Sequence, residues 1–81
     1  MKVEVKLFAR ARDLAGAPQV TLELPDAGTA RDLRQALAAG FPQLSPLVPN
    51  LLIAVNSEYV GDADPLAKGA EIACFPPVSG G

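Results

Sequence analysis

Hydrophobic and polar residues alternate strictly through KVEVKLF (2–8), with Val3, Val5 and Leu7 on one side and Lys2, Glu4 and Lys6 on the other. A period of two marks a strand with one buried face. QVTLEL (19–24) repeats the pattern through Val20, Leu22 and Leu24. ARARDLAGAP lies between them and breaks the alternation. It predicts a short helical turn closed by Gly16 and Pro18, so that the two strands pair as an antiparallel hairpin with a wide connection.

The period changes in PDAGTARDLRQALAAGFP. Thr29 is placed as an N-cap, Asp32 as its capping-box partner, and Gly40 at C′ ahead of Pro42, which predicts a helix over 30–39. Ala30, Leu33, Ala36 and Leu37 share one face, whereas Arg31, Asp32, Arg34 and Gln35 point outward, so this helix lays a single apolar stripe on a flat surface. FPQLSPLVPN (41–50), with three prolines, reads as a loop whose Leu44, Leu47 and Val48 tuck under the helix end. LLIAVN (51–56) is apolar almost throughout, as an interior strand is. A short strand around Tyr59 and Val60 follows, then a turn at 61–64, a helical turn near 65–67, and a last strand EIACF (71–75) after Gly69.

The order is strand, strand, helix, strand, short strand, strand. It lets the first and last strands lie parallel in the middle of a mixed sheet. The predicted fold is α+β, a β-grasp (ubiquitin-like) arrangement with four to five strands and one main helix packed on one face. The domain is expected to span 1–75, with 76–81 an extended, flexible tail.

Composition narrows the chemistry. The 81 residues allow one modest core, since a chain of this size buries only about 60 to 65% of its unfolded surface. They are 49% hydrophobic and 20% charged, a globular balance. Seven Lys or Arg against nine Asp or Glu give a net charge of −2, opposite to the basic footprint of a nucleic-acid binder. No apolar run approaches the ~18 residues of a membrane span, and the alternating N-terminus is unlike a signal peptide. The expected partners therefore include neither nucleic acid nor membrane, and the expected location is the cytoplasm. A single Cys and no His remove internal disulfides, Cys/His nucleophile pairs and His-based metal sites, together with the commonest general base. The chain is not expected to catalyse alone, to hold a metal or to bind a cofactor.

What remains is the ending, CFPPVSGG. Gly-Gly falls on the last two positions by chance in roughly one chain in 200 at average glycine usage. Pro76 and Pro77 hold their stretch extended. Gly80 and Gly81 lack a Cβ, so a narrow channel can grip their backbone closely. Six residues beyond Phe75 reach about 20 Å when extended, the depth of a buried site in another protein.

The stretch AVNSEYVGDADPLAKGAEIACFPPVSGG (54–81) resembles the small, sulfur-carrying subunit of molybdopterin synthase. The likeness runs through Val55, Asn56, Tyr59, Val60, Pro65, Leu66, Gly69 and Glu71, and most specifically through Pro76, Pro77, Val78, Ser79, Gly80 and Gly81. Lys2 to Gly16 and the TARDLRQAL segment fit the same family. Ala70 and Cys74 depart from its commonest pattern. The resemblance implies that an ATP-dependent, E1-like enzyme adenylates the Gly81 carboxylate, which sulfur transfer then converts to a thiocarboxylate. The tail, Pro76, Pro77, Val78, Ser79, Gly80 and Gly81, then threads into the large synthase subunit. There it donates sulfur to the cyclic pyranopterin monophosphate precursor, and two small and two large subunits usually assemble. ATP belongs to the activating enzyme. A carrier for thiamine thiazole synthesis or tRNA thiolation, and a ubiquitin-like modifier joined to lysines, are the alternatives.

Phase singles out two further residues. Phe8 is out of step with Val3, Val5 and Leu7, and Phe75 with Ile72 and Cys74, so both rings are expected on the face away from the helix, where Tyr59 can join them. The resemblance makes this aromatic face, Phe8, Tyr59 and Phe75, the partner interface, with Arg10, Arg12 and Asp62 as rim charges. Cys74, in phase with Ile72, is expected to be a buried structural residue and not a sulfur relay.

Overall fold

The alternation in Lys2–Leu7 forms β1, with Val3, Val5 and Leu7 buried and Lys2, Glu4 and Lys6 exposed. In the computed structural model, which describes residues 1–77, β1 pairs antiparallel with β2 (Gln19–Glu23), setting Val3 opposite Leu22 and Val5 opposite Val20. On its other side β1 runs parallel to β5 (Ile72–Phe75), with Val5 level with Ile72 and Leu7 with Cys74. β3 (Leu52–Val55) is antiparallel to β5, and β4 (Glu58–Tyr59) turns back on β3. The two loop residues of that hairpin, Asn56 and Ser57, have φ of 51° and 71°, the doubly left-handed turn whose twist matches a tight hairpin. The sheet order is β2-β1-β5-β3-β4, the mixed β-grasp sheet predicted from the element order.

Two helices complete the chain. α2 (Ala30–Gly40) opens with the predicted capping box: the Thr29 N–H donates to Asp32 Oδ2 at 2.9 Å, and the Asp32 N–H donates to Thr29 Oγ1 at 3.4 Å. Its first-turn donors also find partners in the 61–66 segment, where the carbonyls of Asp64 and Asp62 accept from the Ala30 and Arg31 N–H groups, each at 3.0 Å. The orphan amides of the helix end are thereby satisfied. Leu33 and Leu37 are fully buried in one cluster with Val5, Leu7, Leu44, Leu51, Ile53, Ile72 and Cys74, so α2 covers one face of the sheet and leaves the other open.

Four local expectations are corrected. The 9–18 connection holds a true helix, α1 (Ala9–Ala15), closed by Gly16 at φ 75°; its Ala and Arg are strong helix formers, and Ala11 is buried. β1 stops at Leu7, leaving Phe8 as the extended N-cap of α1. Gly40 is the last residue of α2 and not its C′, because the Phe41 N–H still donates to the Leu37 carbonyl at 2.8 Å. The helical turn expected near 65–67 is extended instead: Pro65 bridges Thr29, and the Leu66 N–H donates to the Gly28 carbonyl at 2.8 Å, burying Leu66. The 41–50 loop gains two short 3₁₀ turns, Pro42–Leu44 and Val48–Asn50, which bury Leu44 and Val48 as expected.

Candidate functional site: the open sheet face and the root of the tail

Because β1 and β5 are parallel with Leu7 level with Cys74, the next residue on each, Phe8 and Phe75, also lie side by side. Their rings stack with centroids 4.7 Å apart and planes 11° from parallel. Such pairs contribute about 0.5–1.5 kcal/mol beyond their buried area. Phe8 nevertheless remains 38% exposed, so one side of the stack faces solvent.

The strand register shows what else shares this face. Leu52 pairs with Phe75 across β3 and β5, and Ala54 pairs with both Ala73 and Tyr59. Leu52 is 41% exposed and Tyr59 is 71% exposed. The open face therefore carries a row Leu52, Phe75, Phe8 and beside it a low floor, Ala54 and Ala73, that ends at Tyr59. Tyr59 lies on the same face as the rings but does not stack on them. Leu52 was missed by sequence reasoning, because the continuous apolar run of LLIAVN hides which residues face which way; only pairing with β5 reveals it.

Toward β1 and β2 the same face turns polar. Lys6 pairs with Glu71 at 3.2 Å, and Asn56 fastens Glu71 from both sides: its Oδ1 accepts from the Glu71 N–H at 3.0 Å and its own N–H donates to the Glu71 carbonyl at 2.8 Å. Two shallow depressions of about 260 and 310 Å³ lie here, lined among others by Glu4, Thr21 and Gly69. Neither has the enclosed apolar walls of a small-molecule site. Among the described residues no three Cys, Asp or Glu side chains gather as metal ligands would, and no helix is long and apolar enough to cross a membrane.

Of the residues expected at the rim, Arg10 and Arg12 are exposed on α1. Asp62 is held elsewhere: Arg34 Nε donates to its Oδ1 at 2.7 Å while Arg34 Nη1 donates to the Val48 carbonyl at 2.6 Å. This half-buried guanidinium ties α2 to two loops, so Arg34 is less outward-facing than its helix position predicts. Cys74 sits on the covered face, fully buried. Burial pushes its thiol from 9.0 up to about 12, a shift the positive charge of Arg34 opposes in part. A thiol so hard to ionise is a poor nucleophile at neutral pH, which fits the structural role expected of it. Pro76 is half-buried and Pro77 exposed where the chain leaves β5. Val78, Ser79, Gly80 and Gly81 lie outside the described residues.

Comparison with known proteins identifies this arrangement. A family model described as the ThiS family matches residues 5–81. The molybdopterin synthase sulfur carrier subunit of Arabidopsis thaliana is 37% identical over 81 residues, covering 100% of this chain and 84% of that protein. Among solved structures, SAMP1 (small archaeal modifier protein 1) from Haloferax volcanii superposes with a TM-score of 0.85 at 31% identity over 100% of both chains. A complex of subunits 1 and 2 of molybdopterin-converting factor from Helicobacter pylori matches with a TM-score of 0.67 at 26% identity, again over 100% of both chains. Over residues 5–81, the chain belongs to the ThiS family of ubiquitin-like β-grasp proteins, together with the molybdopterin synthase sulfur carrier subunits.

Proposed function

We propose that this chain is the sulfur carrier subunit of a molybdopterin synthase and works in the cytoplasm. Its working group is the Gly81 carboxylate. In an E1-like adenylating enzyme one carboxylate oxygen attacks the α-phosphorus of ATP and pyrophosphate leaves; a sulfide-equivalent nucleophile then displaces AMP, leaving a thiocarboxylate. Inside the large synthase subunit this sulfur passes to cyclic pyranopterin monophosphate, and water restores the carboxylate. The chain itself binds neither ATP nor metal. Its fold supplies a handle, and Phe8, Phe75, Tyr59 and Leu52 form the surface that the large subunit grips.

The observation that carries this reading is the likeness over the whole chain to molybdopterin synthase sulfur carrier subunits, within a family match that runs through Gly81. The geometry supports it. β5 delivers the tail from the interior of the sheet, beside exposed rings, and two prolines stiffen its base. The test is intact-mass spectrometry after incubation with activating enzyme, ATP and a sulfur donor. The expected change is the mass gained when one oxygen becomes sulfur, lost on deleting Gly81 or adding one residue after it, with melting temperature nearly unchanged because a terminal residue buries little. Full sulfur transfer by the Gly81-deleted protein would refute the mechanism.

The likeness to an archaeal modifier protein favours a second reading, in which the same activated Gly81 is joined to lysines of other proteins. Gly-Gly remnants on lysines of other proteins, in place of the thiocarboxylate, would establish it.

A further inference from the structure

We propose that Phe8 is a positioning residue: by stacking on Phe75 it sets the direction in which the tail leaves the sheet, and so governs delivery of the terminal group more than affinity for the partner. The inference rests on the sulfur-carrier reading and extends it to a residue remote from the tail in sequence.

The backbone ladder loses its donors at this point. Phe75 is the last residue of β5, and the two residues after it are prolines. Neither offers an N–H, so beyond Phe75 the chain has no donor with which to bind β1 or β3 until residue 78, although its carbonyls can still accept. Phe75, in register with Leu52, is therefore the last residue of the ladder, and its side chain is placed to orient the chain that follows. It is flanked by Phe8 on the β1 side, at 4.7 Å and nearly parallel, and by its cross-strand partner Leu52 on the β3 side. Leu52 is 41% exposed and its aliphatic side chain has no plane, whereas the aromatic plane defines an orientation.

The chain around Phe8 is shaped to present that plane. Phe8 stays extended, at φ −129° and ψ 154°, although β1 has ended. The chain enters α1 through Ala9, whose φ of 53° is unfavourable for a residue with a Cβ. Strain of this kind persists only where the surroundings over-determine it, and it clusters at functional sites. The turn into α1 is thus made one residue late, and the result is a ring level with Phe75. Holding the root of an arm narrows the directions its end can explore, and misplacement on the order of 1 Å can cost ~100-fold in rate at a reacting centre.

The experiment uses the full chain, thiocarboxylated, as wild type, Phe8→Ala and Phe8→Tyr. It measures Kd for the large subunit and the single-turnover rate of sulfur loss at saturating large subunit. Phe8→Ala is expected to lower the saturated rate by roughly tenfold or more, within the range expected for misplaced reacting groups, with a smaller change in Kd; Phe8→Tyr, which can still stack, should keep the wild-type rate. Independently of activity, the NMR order parameter of the Val78 amide, the first N–H beyond the prolines, should fall in Phe8→Ala and not in Phe8→Tyr. A weakened Kd with an unchanged saturated rate and an unchanged Val78 amide would make Phe8 an interface anchor only. Unchanged values throughout would remove it from the mechanism. Should wild type itself transfer no sulfur, the carrier reading fails, and the Val78 amide still decides whether Phe8 positions the tail.

Discussion

Cys74 and Phe75 are neighbours on one strand, yet they belong to different parts of the protein. Cys74 looks toward α2, fully buried between Leu7 and Ile53, in a row that repeats one step along as Val5, Ile72 and Val55. Phe75 looks the other way, between Phe8 and Leu52, on a face where Phe8, Leu52 and Tyr59 stay substantially exposed. Scattered exposed apolar side chains are ordinary. Rings and aliphatics gathered beside the departure point of a tail are not explained by folding, because burying them would stabilise the chain more than leaving them in water. The covered face holds the fold together, and the open face is free to be selected for what touches it.

The sharpest stability contrast falls on adjacent residues of β3. Ile53 is 1% exposed and Leu52 41%. Ile53→Ala should cost about 2–5 kcal/mol, a large share of the roughly 5–15 kcal/mol that holds a domain together. Leu52→Ala should cost less than about 1 kcal/mol while weakening capture by the large subunit. Chemical denaturation of the two variants side by side checks this, and equal losses would mean that the two faces do not differ as described.

A smaller effect is expected at Cys74. Cys74→Ala should cost ~1 kcal/mol and leave sulfur acceptance and donation intact, since it removes one small buried atom and no reacting group. Loss of transfer by a folded Cys74→Ala protein would revive a relay role. The thiol also carries a pH signature. Its folded value is raised to about 12 from 9.0, so above pH 9 the unfolded chain releases a proton that the folded chain keeps. The stability it contributes is therefore complete below pH 9 and declines as pH climbs from 9 toward 12. Denaturation midpoints of wild type and Cys74→Ala should converge as pH rises above 9 and then cross, because only the wild type loses this contribution and the loss across the window exceeds its ~1 kcal/mol advantage.

The two faces also differ in how readily they were read from sequence. β1 announces its phase because each buried residue is separated by a charged one, so Phe8 stood out as misplaced. β3 announces nothing: Leu51 to Val55 are all apolar, and Leu52 is assigned to the open face only by its register with Phe75. The N-terminus of α2 was legible because Thr29 and Asp32 act through a local hydrogen-bond pattern. Its C-terminus was not, because Gly40 permits a left-handed cap without requiring one. The 61–66 segment was misread for a related reason. Pro65 fits a first helical position, but here the backbone around it pairs with Gly28 and Thr29, distant partners that no local pattern encodes.

Phe75→Ala tests the division between the faces most directly, with unfolding free energy and affinity for the large subunit measured on the same protein. Phe75 as an interface residue predicts a stability loss well below the roughly 3–5 kcal/mol of a buried aromatic. It also predicts binding weaker by ~2 kcal/mol, about thirtyfold. A large loss of stability with unchanged affinity in the folded protein would contradict the account and return Phe75 to the core.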